Sequence, residues 1–275
     1  MGAGGWLSWR NRRAPRDRMA SPTPLSDVQL TLASDLANAT LARFRHLGRS
    51  RRATPLPTIV SETRVYWTLL LAHHMARGAV AGDFVETGVY RGGTTIAMLR
   101  ALAEANQTYR WHWACDSFAG LPEAEPQDAI CAHKRSGAHG CAVPRAGDLS
   151  SNRAAFEENV RQWHTRMALS ENLRTVAGWF NTTLPAPGMR AISFLRLDGD
   201  AYASTRDALV ALYPRVSRGG IVYVDDYGGY GGCAAAVDEY RRANGVTAPL
   251  QMIWEPGARH SRKSCCKSTR PCGGA

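Results

Sequence analysis

Two short acidic groups stand out as candidates for chemistry, Asp198-Gly199-Asp200 and Asp225-Asp226. Each follows an apolar run, Ile192–Leu197 in the first case and Ile221–Val224 in the second. If those runs are neighbouring parallel strands, their carboxylates meet at one end of a sheet. Clustered carboxylates repel one another, and each costs free energy unless it is neutralised. A divalent cation is the simplest remedy, and oxygen-only ligands suit Mg²⁺, Ca²⁺ or Mn²⁺ rather than zinc. The alternative is pairing with Arg91, Arg196 or Arg206.

A second group begins after the apolar pair Phe84–Val85 and reads Glu86-Thr87-Gly88-Val89-Tyr90-Arg91-Gly92-Gly93. Glycines let a backbone turn tightly and approach a ligand closely. The spacing is G-x-x-x-G-G rather than the G-x-G-x-x-G of dinucleotide loops, which argues against NAD. An acid ending a strand before a Gly-rich loop is what a pocket for S-adenosylmethionine (SAM) shows. A plain Gly-rich connection is the alternative. Asp116 closes the next apolar run, Trp111–Cys115, and is followed by Ser117. An acid there is placed to accept hydrogen bonds from both ribose hydroxyls of a nucleoside. Capping of the next segment is the competing role. A cation beside a methyl donor has a use, since it can bind two adjacent hydroxyls of an acceptor and acidify one. The long polar segment 117–150 is expected to close over such a site, with His133 and His139 as candidate bases.

The elements that must position these residues follow from periodicity. Ser26–Leu47 and a stretch from Ser61 are apolar at helical spacing, separated by Pro55 and Pro57. Further on, short apolar runs alternate with helical patterns. Strands are expected at Phe84–Val85, Trp111–Cys115, Arg174–Ala177, Ile192–Leu197, Ile221–Val224 and Leu250–Trp254. Helices are expected at Thr94–Ala105, Ala154–Leu169, Thr205–Tyr213 and Ala234–Ala243. This alternation gives an α/β fold with a mostly parallel sheet, helices on both faces and an N-terminal helical extension. Ligands in such sheets bind beyond the carboxyl ends of the strands, where all the groups above fall.

The formal net charge of +11 belongs to the ends of the chain. Residues 1–55 are Arg-rich and acid-poor, and 256–275 carry Lys and Arg but no acid, whereas 56–255 is close to neutral. Basic tails can attract RNA or anionic lipid, so a catalytically inactive SAM- or RNA-binding protein is an alternative reading. The neutral centre weighs against a nucleic-acid partner. No run approaches the roughly 20 apolar residues that span a bilayer, so no membrane role is expected. A cytoplasmic location is expected, with an organelle transit peptide in the Arg-rich leader as the alternative. Cys265, Cys266 and Cys272 lie in the basic tail without a paired C-x-x-C unit, which makes a zinc site a weak reading.

The stretches FVETGVYRGGTT (84–95), WACDSFAGLP (113–122), GWFNTTLP (178–185), LRLDGDAYASTRDALVALYP (195–214), GGIVYVDDY (219–227) and CAAAVDEYR (233–241) resemble the macrocin O-methyltransferase (TylF) family. The resemblance covers roughly 58–255 and implies a Rossmann-like class I methyltransferase fold using SAM and Mg²⁺ or another divalent cation. It implies a donor pocket built from Glu86, Thr87, Gly88, Val89, Tyr90, Arg91, Gly92, Asp116, Ser117, Gly178 and Trp179. The implied metal ligands are Asp198, Asp225 and Asp226, with Asp200 behind them. Asp198 would also act in catalysis, and His139 stands for the catalytic histidine that the family places in the mobile segment. The acceptor would be a hydroxylated small molecule such as a glycoside, and a homo-oligomer is an expected assembly. The expected organisation is a basic leader with a helix (1–57), the methyltransferase domain (58–255) with a lid-like insertion (117–150), and a basic tail (256–275). The family pattern is rewritten within 117–150, around Cys131, Cys141 and Pro144.

Overall fold

The computed structural model describes residues 39, 40, 42, 56–107, 109–129 and 143–251. Along the chain these form α1 (Glu62–Arg77), β1 (Asp83–Thr87), α2 (Gly93–Glu104), β2 (His112–Asp116), α3 (Arg153–Met167) and β3 (Leu173–Ala177). There follow a single turn α4 (Phe180–Thr183), β4 (Ile192–Leu197), α5 (Tyr202–Leu212), β5 (Val216–Val224) and α6 (Gly231–Asn244). The strands form one parallel sheet in the order β3-β2-β1-β4-β5. The chain winds outward from β1 to β3, then crosses back to lay β4 on the other side of β1. That reversal leaves a crevice between the ends of β1 and β4.

Burial explains the strand sequences. Every residue of β4 is buried, and β1 and β2 each have four of five positions buried, so their side chains need apolar neighbours on both faces. Phe84 and Phe194 point to one face, where their rings meet edge-on at 5.4 Å. Met75 of α1 and Met98 and Leu102 of α2 complete that cluster. Beside it, Leu69, Ile96, Leu99, Phe156, Trp163 and Met167 bind α1, α2 and α3 together. Val85, Trp113, Leu195 and Leu197 point to the opposite face, against Leu209 and Leu212 of α5 and Val237 of α6.

Local chemistry sets the helix ends. Ser61 caps α1 by accepting from the Arg64 amide, and Asn152 caps α3 by accepting from the Ala155 amide. Gly245 closes α6 in the left-handed conformation. The expected strands and helices up to α6 appear with ends unmoved or moved by up to five residues. The largest shift is at β5, which begins at Val216. Its pairing with β4 jumps from Ile192↔Val216 to Phe194↔Ile221, so Ser217–Gly220 bulge from the ladder, with Gly219 at φ +81°. The expected strand at Leu250–Trp254 is not formed at Leu250 and Gln251, and its remainder lies outside the described residues. Of the expected Ser26–Leu47 helix, residues 39, 40 and 42 are described and are helical, and the Thr40 hydroxyl donates to Glu104 at 2.9 Å.

Of the expected lid-like insertion, residues 117–129 and 143–150 are described. Leu121 and Gly147–Asp148 exchange backbone hydrogen bonds that close its neck. Asp128 accepts from the Tyr202 amide at 2.7 Å, capping α5, and from the Glu125 amide at 2.9 Å. Its carboxylate lies so close to Gly232 that a Cβ there would sit 1.8 Å from Oδ1. Residues 120–129 are therefore a fixed wall, and 130–142 lie outside the described residues. Replacing Phe194 by Ala should cost about 3–5 kcal/mol through the cavity left in the central sheet. Urea unfolding should show a lower midpoint with an unchanged m-value.

Candidate active site

A cleft of about 820 Å³ opens at the carboxyl ends of β1 to β4. Ligand pockets typically enclose roughly 300–1,000 Å³, so it can hold a nucleoside-sized donor and part of an acceptor. Gly88, Val89, Tyr90, Asp116, Ser117 and Trp179 line one half. The other half meets Asp198, Asp200 and Asp226.

In the first half, backbone geometry explains the glycine after β1. Gly88 has φ +82°, and a Cβ there would lie 1.6 Å from the Asp198 carbonyl oxygen. The loop can therefore pass the end of β4 only without a side chain. Asp116 organises the loop. Its Oδ2 accepts from the Val89 and Tyr90 amides at 2.8 and 3.0 Å, and Oδ1 accepts from the Phe118 amide at 2.7 Å. A carboxylate offers about four acceptor positions, so about one remains for a ligand hydroxyl rather than the two the sequence suggested. Trp179, 42% exposed, presents its indole at the mouth.

Five of the expected donor-pocket residues stand behind the cleft rather than on it. Thr87 is buried, and its carbonyl accepts from the Asp198 amide. Gly92 caps α2 at φ +94° beneath Phe156, and Gly178 packs on Thr183 at φ +133°. Arg91 is exposed and stacks over the Tyr90 ring. Glu86 is fully buried, accepts from the Thr95 hydroxyl at 2.6 Å and pairs with Arg196 at 3.3 Å. Burial alone would raise its pKa, but the His112 hydrogen bond and the Arg196 charge outweigh it and hold Glu86 below the usual range.

The acidic half divides its four aspartates by function. Ligand oxygens of Asp198, Asp200 and Asp226 all lie within 4.8 Å of one another. Asp225 turns away. Its side chain is completely buried, pairs with Arg196 Nη2 at 3.2 Å and Arg64 Nη1 at 2.9 Å, and accepts from the Tyr223 hydroxyl at 3.0 Å. The structure thus groups Asp200, rather than Asp225, with Asp198 and Asp226. The arginine pairing weighed from the sequence is also present, through Arg196, which donates to Asp198 at 2.7 Å. Arg206 pairs instead with Glu125 and Asp207.

Burial, then the charges of Asp225 and Asp200, push Asp198 up to about 7 against the lowering pull of Arg196. Burial and Asp225 push Asp200 up to about 6. Burial and the neighbouring carboxylates push Asp226 well above the carboxylate range. Two guanidiniums therefore leave the cluster short of positive charge. Three hard oxygens from two strand ends, those of Asp200 and Asp226 buried and that of Asp198 half-buried, fit a divalent ion of the Mg²⁺ type. His139 and His133 lie outside the described residues. Sequence reasoning missed Arg64 altogether, because it arrives from α1, far away in the chain, with no local signal. It also missed Asp128 and Tyr223.

The sequence profile of the macrocin O-methyltransferase (TylF) family matches residues 16–262. A tetracenomycin-C 4'-O-methyltransferase of Streptomyces olivaceus, whose substrate carries a dimethoxy-rhamnosyl group, is 38% identical over 70% of both chains. Demethyldecarbamoylnovobiocin O-methyltransferase of Streptomyces niveus is 41% identical over 66% of this chain and 67% of its own. Mycinamicin III 3''-O-methyltransferase of Micromonospora griseorubida is 33% identical over 68% of this chain and 71% of its own. Among solved structures, the O-methyltransferase NovP superposes with TM-score 0.58 at 32% identity, covering 80% of this chain and 92% of that one. The calicheamicin methyltransferase CalS11 shares the fold at TM-score 0.56 and 19% identity, covering 90% of this chain and 96% of its own.

Arg196→Met should take the buried cation from Glu86 and Asp225, leaving Thr95 and His112 on the first and Arg64 and Tyr223 on the second, and destabilise the protein by about 3 kcal/mol. A loss below about 1 kcal/mol in urea unfolding would show that those carboxylates do not depend on the guanidinium. Asp116→Ala should weaken SAM binding by roughly 1–3 kcal/mol in calorimetry, as loop order and a charged acceptor are lost together.

Proposed function

The chain belongs to the macrocin O-methyltransferase (TylF) family and is a SAM-dependent O-methyltransferase, and from that premise we propose that it methylates a sugar hydroxyl of a glycosylated small molecule with the help of a divalent cation. The single observation that carries this reading is the continuity of the cleft. It runs from the Gly88–Tyr90 loop to the carboxylates of Asp198, Asp200 and Asp226, past the polar side chains of Asn181, Thr182 and Glu123. A polar wall suits a hydroxylated acceptor. The three curated relatives support the class, one being named for a rhamnosyl-bearing substrate.

When bound, SAM supplies an electrophilic methyl on a sulfonium. A cation held by Asp198, Asp200 and Asp226 would lower the pKa of a bound hydroxyl. The remaining work falls to the chain's own residues. Val89, Tyr90, Asp116 and Ser117 fix the donor, and Trp179 offers an aromatic face at the mouth. Asp198 is the carboxylate at the junction of the two halves, and its place on the cleft lining lets it take the acceptor proton. Arg196 fixes its orientation through the 2.7 Å hydrogen bond. His139 remains the second candidate base. Holding donor and acceptor together in one cleft removes the cost of their meeting. The fixed wall at 120–129 limits water on one side.

Asp198→Asn should lower kcat by about 10²–10⁴-fold with SAM affinity nearly intact. Unchanged turnover would remove Asp198 from the reaction and direct attention to His139→Ala. A second test uses pH. Asp198 and Asp200, raised to about 7 and about 6, keep protons in the folded state that the unfolded chain releases above about pH 4. The ion-free protein should therefore lose stability as pH rises toward 7 and level off above it. Mg²⁺ should raise Tm at pH 8 and leave it nearly unchanged at pH 5, where protons hold the same oxygens. Equal Mg²⁺ effects at both values would count against the cluster as the cation site.

A further inference from the structure

Arg64 is a cation that the fold itself brings to the acid cluster. It stands in the first turn of α1, where its amide donates to the capping Ser61 and its carbonyl accepts from Thr68. Its Nη1 lies 2.9 Å from Asp225 Oδ2 and 3.9 Å from Asp226 Oδ1, with the side chain 34% exposed toward the cleft. Arg196 differs, being wholly buried in the sheet. The residues just before α1 form a wall of the cleft, with Pro57, Thr58, Ile59 and Val60 all on its lining. That wall is held at its far end, where the Gly93 amide donates to the Pro57 carbonyl at 3.1 Å and Thr58 packs against Gly93. Its near end is held by the reach of Arg64 to the carboxylates.

We propose that Arg64 and the divalent cation oppose each other at the acid cluster, so that loading the ion loosens the first turn of α1 and the 57–60 wall of the cleft. The inference rests on the cation reading given above. Asp226 is the shared partner, since it belongs to the three-carboxylate group and also lies within ion-pair distance of Arg64. A divalent ion on Asp226 draws down the negative potential that holds the guanidinium, and the guanidinium repels the ion in turn. Binding linkage makes the two effects equal in size. Arg64 thereby couples the acid cluster to the 57–60 wall of the cleft, a connection that no strand provides.

The test uses the full chain without SAM and titrates Mn²⁺ by electron paramagnetic resonance, with Mg²⁺ calorimetry in parallel. Arg64→Gln should bind either ion about tenfold tighter or more, because a like charge a few ångströms away has gone. Arg64→Lys, which keeps the charge, should stay near wild type. Asp226→Asn should lose binding in either background. Mg²⁺ should speed amide exchange across 57–66 in the wild type and leave that segment unaffected in Arg64→Gln. Equal or weaker ion binding in Arg64→Gln, with wild type binding normally, would overturn the opposition and make Arg64 a mere organiser of Asp225. Absence of binding in wild type and Arg64→Gln alike would sink the cation reading, and this inference with it.

Discussion

A guanidinium with no exposed surface sits in the middle of this sheet, and the site is arranged around it. Arg196 lies on fully buried β4 and reaches Glu86 of β1, Asp198 at the end of its own strand and Asp225 beyond β5. An isolated buried charge is prohibitively costly, so the three acids are a condition of the strand being where it is. The converse also holds, because Glu86 and Asp225 are equally buried. The network ties β1, β4 and β5 at their carboxyl ends, the edge where the chain reverses its winding. The crevice is therefore rigid at its base, and the ligand-facing groups have a fixed floor.

On that floor the aspartates separate into two kinds. Asp225 has both oxygens engaged by cations and Tyr223, so it serves the framework. Asp198, Asp200 and Asp226 line the cleft, where Arg196 at Asp198 and Arg64 near Asp226 only partly offset their mutual repulsion. Burial and that repulsion raise the pKa of all three carboxyls. One adjacent pair in the sequence, Asp225-Asp226, thus places one member in the buried ion-pair network and the other on the cleft.

Much of this was legible in the residues. Apolar runs without alternation marked strands covered on both faces, and β4 ran over Ile192–Leu197 as expected. The acids at the strand ends and the glycine at 88 were visible because their types are costly or useless elsewhere. Three things were hidden. The division between Asp225 and Asp200 depends on side-chain direction at the strand exit, where Asp200 adopts φ +53°. The position of Arg64 depends on how α1 docks, which periodicity does not encode. Glu86 and Gly92 looked like ligand contacts because they flank the loop, yet they act one layer behind it, as a buried anion and a helix cap.

The described part of the insertion is anchored by specific contacts. Gly, Pro and polar residues across 117–150 suggested a single lid. Asp128, however, meets a specific demand, because α5 begins with an uncapped amide at Tyr202 and Ala201 has no side chain to cap it. A buried helix N-terminus needs an acceptor, and a carboxylate there also meets the positive end of the helix dipole. The Asp128 carboxylate fits only because Gly232 leaves room at the start of α6. One aspartate and one glycine from distant segments therefore convert the first third of a flexible-looking loop into part of the cleft wall. The cleft is thus bounded by one wall pinned through Asp128 and one held by Arg64.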